Sequence, residues 1–397
     1  MIPLSNRIIN LSESETLAMA QKSRELKSKG IDVINLSLGE PDFFTPEPIK
    51  EAAKLAIDQN YSFYTPVNGY LELREAICKK LKRDNQLDYS PEQVVVTTGA
   101  KQALINVLLC MINPGDEVVV AAPYWVSYRD MVQIAEGKPI IVKAGIESDF
   151  KITPQQLEQA ITPKTRMFMF SSPSNPTGSL YTREELEAFA RVFQKHPQVF
   201  ILSDEIYEFI NFEGKHESIA QFEPVRDRVI IVNGVSKGYA MTGWRLGYLV
   251  GHKDIAKACT KLQGQFTSGT NSIAQRAAIT AMQMDAKFVM PMLEKFKERR
   301  DLMLGLLKDV PGIITNTPEG AFYLFPDISY YFGKKFGQTV IANAPDLCMY
   351  LINTAHVALV PGDAFGAPEC IRISYATSNQ LLVEAVARIR EALANLK

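Results

Sequence analysis

The stretch VVVTTGAKQAL, residues 94–104, passes from an apolar run into a helical pattern across a turn containing glycine. The same change recurs down the chain. EVVVAAP (117–123), PIIVKA (139–144), RMFMFSSP (166–173), QVFILSDE (198–205) and RVIIVNGVSK (228–237) are further short apolar runs. Amphipathic stretches such as TREELEAFARVFQ (182–194) separate most of them. Nearly all-apolar strands alternating with helices predict an α/β fold with a largely parallel sheet buried on both faces. In such open sheets ligands bind beyond the carboxyl ends of the strands, so the polar residues found there are the candidate site.

Upstream, residues 12–30 read as a helix. Ser12 and Glu15 have capping-box spacing, and Gly30 follows Lys27 and Lys29 as a stop signal. VINLSLGEPDF (33–43) is a short strand running into a turn. Residues 46–85 read as helical at both ends, around the tyrosine-rich loop YSFYTPVNGY (61–70). Downstream, about residues 285–310 read as a connecting helix. GAFYLFP (320–326), a helix, HVALVPG (356–362), CIRISYA (370–376) and a C-terminal amphipathic helix then suggest a smaller α+β domain.

Composition narrows the function. The 397 residues are 46% hydrophobic and 22% charged, with a formal net charge of −1. Those are ordinary globular values, without the basic excess that nucleic acid or an anionic membrane calls for. Five widely spaced cysteines without a CxxC pair argue against a disulfide framework and a structural zinc site, so no metal is expected. Reduced thiols fit a cytoplasmic setting. No apolar run is long enough to span a bilayer, and no signal peptide is expected.

Lys237, in VNGVSKGYAMTGWRLGY, follows an apolar run and would form a Schiff base if its amine were neutral. Taken alone, a lysine in such a Gly/Ser loop is far more often a solvated surface residue. Ser236 and Arg245 nearby suit a phosphate, and Gly99, Ala100 and Lys101 open a helix whose N–H groups favour an anion. Asp204 ends VFILSDE, where a buried carboxylate calls for a positive partner or serves as a helix cap. Asn175 and Tyr207 are placed to hydrogen-bond a ring substituent, and Trp125 to stack on a flat ring. Arg372 alternates with Ile371 and Ile373, so it is either a carboxylate ligand or a solvent-facing strand residue.

GEPDF (39–43), YTPVNGYLELREAI (64–77), GAKQAL (99–104), PYW (123–125), SPSNPTG (172–178), SDEIYE (203–208), SKGYAMTGWRLGY (236–248) and RISYA (372–376) come in that order. The series resembles fold-type-I pyridoxal-phosphate enzymes, most closely the class-I aminotransferases of the bacterial aspartate aminotransferase type. The resemblance covers essentially the whole chain. It implies a mainly parallel seven-stranded sheet in a large domain over 46–285. It implies a smaller domain built from both chain ends, 1–45 and 286–397.

The resemblance also assigns roles. Lys237 binds pyridoxal 5'-phosphate and moves the Cα proton; Asp204 pairs with the pyridine nitrogen; Tyr207 and Asn175 meet the phenolic oxygen; Trp125 stacks on the ring. Ala100, Lys101, Ser236 and Arg245 hold the phosphate. Arg372 holds the substrate α-carboxylate and Gly39 closes over it. Tyr64 reaches the neighbouring subunit's phosphate, so a homodimer is implied. Lys101, with hydroxyls from Ser14 and Thr16, binds a distal carboxylate, implying aspartate or glutamate as donor and 2-oxoglutarate or oxaloacetate as acceptor. Two cis bonds follow, Ala122–Pro123 and Asn175–Pro176. Relatives that use prephenate carry a lysine where Ser12 stands, so that substrate does not carry over. A lyase on the same fold stays open. A cofactor-binding regulator, which needs a winged helix before GEPDF, is not expected.

Overall fold

The computed structural model describes residues 2, 4–9, 11 and 15–397. The expected cap Ser12 and the hydroxyl of Ser14 fall outside these, as does the side chain of Thr16. The N-terminal helix runs Glu15–Ser28, and β1 (Ile34–Asn35) follows it.

The apolar runs form β2 (Val94–Thr97), β3 (Glu117–Ala122), β4 (Lys138–Lys143), β5 (Thr165–Ser171), β6 (Phe200–Asp204) and β7 (Val229–Gly234), joined by β8 (Gly247–Val250). They make one seven-stranded sheet in the order β2-β8-β7-β6-β5-β3-β4. Successive side chains in a strand point to opposite faces. Phe168 and Phe170 of β5, with Val229 and Ile231 of β7, therefore enter one core. Met167 and Met169, with Ile230 and Val232, enter the other. That two-sided burial is why these runs lack polar alternation. It fails at β4, the sheet edge, where Pro139–Val142 are half-buried and Lys138 and Lys143 are exposed. Charged residues on an edge discourage further strand pairing.

Every neighbour pair is parallel except those of β8, which runs antiparallel to both β2 and β7. This reversal matters for the site. The carboxyl ends of the parallel strands gather Gly99, Asn175, Asp204 and Lys237 along one margin. Because β8 is reversed, its beginning lies there too: Gly247 pairs with both Thr97 and Gly234. Arg245, just before β8, thus joins the residues that follow β2 and β7.

Helices cover both faces. In Arg183–Lys195, Thr182 and Glu185 form a reciprocal capping box, and Leu186, Phe189, Ala190, Val192 and Phe193 are buried. The tyrosine-rich loop joins helices Glu47–Asp58 and Leu71–Asn85.

A further core unites Met19, Leu26, Val33 and Leu36 with Phe296, Leu351, Ile373 and Leu393. Its strands are short. β1 pairs in parallel with β12 (Val357–Ala358), while β13 (Val360–Pro361), β14 (Ile371–Ser374) and β9 (Tyr323–Leu324) form an antiparallel sheet. A separate hairpin joins β10 (Lys335–Phe336) to β11 (Thr339–Val340). The connecting helix spans Met290–Lys308. Among the described residues no helix is long and apolar enough to cross a membrane.

Candidate active site

One cavity of about 330 Å3 opens at the margin where the strands end. Its walls include Gly39, Ala100, Lys101, Trp125, Asn175, Asp204, Tyr207, Ser236, Lys237, Arg245 and Arg372. Gly99 stands directly behind Arg245. All the candidate site residues except Ser14, Thr16 and Tyr64 are thus collected within or against one space.

Lys237 projects from the turn after β7 and donates from Nζ to the Gly39 carbonyl. Burial, reinforced by the Arg372 guanidinium, holds its ammonium down at about 8. Asp204 ends β6 and is buried. Its Oδ2 accepts from the Tyr128 hydroxyl at 2.7 Å and its Oδ1 from the Ile206 amide at 3.2 Å. Burial nonetheless pushes its carboxyl up to about 6. One wall therefore holds an amine near neutrality, and another holds a carboxylate short of positive charge.

Arg372 is 2% exposed, which rejects the solvent-facing alternative. Its Nη2 donates to the Ser37 carbonyl at 2.6 Å and its Nη1 to Asn175 Oδ1 at 3.1 Å, while Nε is buried without a partner. The guanidinium lies over Tyr323 and Phe365, 4.6 and 5.0 Å from their ring centroids. A cation buried this way without a carboxylate calls for an anion. Since Arg372 takes Asn175 Oδ1, the Asn175 amide nitrogen is left to face the cavity. The Tyr207 hydroxyl meets that of Tyr323 at 2.7 Å. A Cβ at Gly39 would lie 2.7 Å from the Tyr323 hydroxyl, so this backbone approaches only without a side chain.

At the other end, Gly99 precedes the helix Ala100–Met111 with φ 82°. The left-handed conformation favours glycine, and a Cβ there would lie 2.4 Å from Arg245 Nη2 and push the guanidinium aside. Arg245 takes a left-handed backbone (φ 53°), and its Nη1 is tied to the Thr242 carbonyl at 2.9 Å. The first-turn amides of Ala100 and Lys101, which a helix leaves without internal acceptors, face the same space as Arg245 and the Ser236 hydroxyl. Lys101 Nζ lies 4.7 Å from the Trp125 ring centroid. Burial of that ammonium and the nearby Arg245 charge lower its pKa.

Ser14 and the side chain of Thr16 lie outside the described residues, so Tyr64 is the one described candidate not gathered here. Tyr64 is 98% exposed and absent from its own chain's cavity. Both expected cis bonds are present, and Ser172–Pro173 is a third. Sequence reasoning missed Tyr128 and Tyr323, the hydroxyl partners of Asp204 and Tyr207. Tyr128 lies three residues beyond PYW and Tyr323 inside GAFYLFP, but nothing local shows which carboxylate or hydroxyl each one meets. Behind Asp204, the buried Glu205, Glu208 and His216 have metal-like spacing. Lys80 pairs with Glu208, and His216 Nε2 lies 3.0 Å from Glu205, so both carboxylates already have side-chain partners.

The aminotransferase class I and II family model matches residues 31–389. An aspartate/prephenate aminotransferase from Cereibacter sphaeroides is 48% identical, over 99% of this chain and 99% of its own. The bifunctional aspartate aminotransferase and glutamate/aspartate-prephenate aminotransferase of Petunia hybrida is 46% identical, over 100% of this chain and 84% of its own. The solved aspartate aminotransferase from Rhizobium meliloti superposes with a TM-score of 0.96 at 41% identity, covering 100% of both chains. The aspartate aminotransferase from Thermus thermophilus with maleate gives 0.93 at 40% identity, covering 99% of this chain and 100% of the other.

Proposed function

The chain belongs to the aminotransferase class I and II family, and from that premise we propose that it uses pyridoxal 5'-phosphate to transaminate L-aspartate with 2-oxoglutarate. The observation that carries the proposal is the single cavity shared by a near-neutral lysine, Lys237, and an unneutralised carboxylate, Asp204.

The donor set fits that cofactor group by group. Arg245, the Ser236 hydroxyl and the helix amides beside Gly99 suit a phosphate dianion. Asp204 suits a protonated pyridine nitrogen, which would supply the positive charge its burial lacks. Tyr207 and the Asn175 amide suit a phenolic oxygen, and Trp125 offers an aromatic face to the ring. Arg372, a buried cation without a carboxylate partner on the cavity wall, suits a substrate carboxylate.

When bound, the cofactor supplies an electron sink that weakens the substrate Cα–H bond. Arg372 holds the α-carboxylate and so orients Cα, with Ser37 and Asn175 fixing its guanidinium. The Lys237 amine takes the Cα proton, and a pKa near 8 keeps part of it unprotonated at neutral pH. Lys101 offers its ammonium to the distal carboxylate of aspartate. The acidic donor named for the relatives agrees with a cation at that position.

The homodimer and the domain division belong to the same reading. Tyr64, Phe63 and Phe44 are 98%, 82% and 93% exposed, which supports a surface completed by a second copy. The core shared by Met19–Leu36 and the C-terminal third supports a smaller domain of 1–45 with 286–397, beside a larger one of 46–285. A cytoplasmic setting, suited to five cysteines that form no disulfide, completes it.

The test has two parts. Borohydride reduction should fix the cofactor to Lys237, and Lys237→Ala should fold but not turn over; a label on another lysine would falsify the assignment. Aspartate with 2-oxoglutarate should then give glutamate, whereas a lyase on this fold would consume aspartate without forming it.

A further inference from the structure

Two pairs of polar side chains step along the seam between the helices Ala100–Met111 and Lys253–Phe266. Gln102 Nε2 donates to Thr267 Oγ1 at 2.6 Å, and Asn106 Nδ2 donates to Gln263 Oε1 at 3.0 Å. Each step moves four residues forward on the first helix and four back on the second, as antiparallel packing requires at one turn per step. The next step reaches Cys110 and Cys259. Cys259 is fully buried in the core along this seam, and the half-buried Cys110 packs against that core. The two thiols lie close enough to perturb each other's ionisation. Neither lines the cavity, and the proposed reaction uses neither.

We propose that Cys110 and Cys259 form a dithiol modification site, at which a hydroperoxide oxidises the pair to one intramolecular disulfide joining the two helices. Facing positions on helices packed about 8–10 Å apart come within reach of the ~4.4–6.8 Å Cα separation a disulfide needs. The surroundings divide the roles. Cys110 is half-buried, whereas Cys259 is fully buried. Cys110, the more accessible, is the attacking thiolate, and Cys259 the resolving thiol.

The step balances. Cys110 sulfur attacks a peroxide oxygen; an S–O bond forms, the O–O bond breaks and water leaves. Cys259 sulfur then attacks the Cys110 sulfenic acid; an S–S bond forms, the S–O bond breaks and a second water leaves with the Cys259 proton. The pair gives up two electrons and the peroxide is reduced.

The disulfide would tie down the far end of the helix whose first turn borders the cavity. It would also close a long chain loop, which raises thermal stability when the native geometry accommodates it.

The reduced holoenzyme, treated with one equivalent of hydrogen peroxide and then an alkylating agent, is mapped by mass spectrometry without reductant. The expected result is one linked peptide pair, Cys110 with Cys259, lighter than its parts by two hydrogens and released by dithiothreitol. The other cysteines should be alkylated. The oxidised protein should melt several degrees above the reduced form, and Cys110→Ser should abolish both link and shift. In Cys259→Ser, the Cys110 sulfenic acid should persist and be trapped by dimedone. Peroxide that leaves both thiols free, or that carries Cys110 to the sulfinic acid without a link in the wild type, overturns the proposal.

Discussion

Asp204 and Lys237 share a cavity, and burial moves both toward their neutral forms. For Asp204 the folded pKa, about 6, lies above the ordinary 3.8. Its destabilisation is absent below about pH 4, grows as pH rises through 6 and is complete above that. A shift of about two units corresponds to on the order of 3 kcal/mol at neutral pH. Asp204→Asn, whose Oδ1 can accept from the Ile206 amide while its Nδ2 donates to the Tyr128 hydroxyl, should therefore stabilise the cofactor-free chain at pH 7.5 by up to that amount. The gain should shrink toward pH 4.5, and the variant should bind the cofactor far more weakly. Urea unfolding at both pH values checks this; a gain that does not vary with pH would remove burial of charge as its source. Lys237 behaves in the opposite sense. Its folded pKa of about 8 lies below 10.5, so its destabilisation is complete below pH 8 and is relieved as pH rises from 8 to 10.5.

At the scale of an element, the helix Ala100–Met111 does two jobs with its first turn. Its backbone amides face the anion site while the Lys101 side chain reaches across to Trp125. Because these tasks use different atoms, a substitution separates them. Lys101→Ser keeps the amide and removes the cation. It should lower kcat/KM for aspartate by roughly 2–5 kcal/mol of transition-state binding and leave an apolar donor nearly unchanged. Equal losses for both donors would mean that Lys101 serves the cofactor or the fold rather than the distal carboxylate.

At the scale of the whole molecule, Tyr64 faces outward from a chain whose own cavity it does not enter. If it completes the neighbour's site, two crippled chains should rescue one another. In a mixed dimer of Lys237→Ala and Tyr64→Ala, one site carries both defects. The other combines an intact Lys237 with an intact Tyr64 from the partner subunit and is wild type. Unfolding and refolding the two variants together should restore activity that neither has alone. No recovery, with mixed dimers verified by mass, would place Tyr64 outside the partner's site.

Local patterns determined much of this protein. All-apolar runs announced a sheet covered on both faces, because a strand with no polar side has no face to give to water. The polar residues after those runs marked the site, because parallel strands end at one margin. Contacts between distant segments were decided only by tertiary structure. Alternation in IRIS separated Arg372 from Ile371 and Ile373 but could not say which face is covered; Tyr323, Phe365 and the Ser37 carbonyl decided that Arg372 is buried. PIIVKA read like its neighbours, yet at one sheet edge it is half-buried, while β2 at the other edge is fully covered, a difference that only the packing of the other elements decides. Tyr128 and Tyr323 became partners of Asp204 and Tyr207 through pairings across the fold. Cys110 and Cys259 counted as isolated thiols until two helices packed antiparallel. Periodicity along the chain records which side of an element is buried, whereas the partner on that side depends on how all the elements are covered at once.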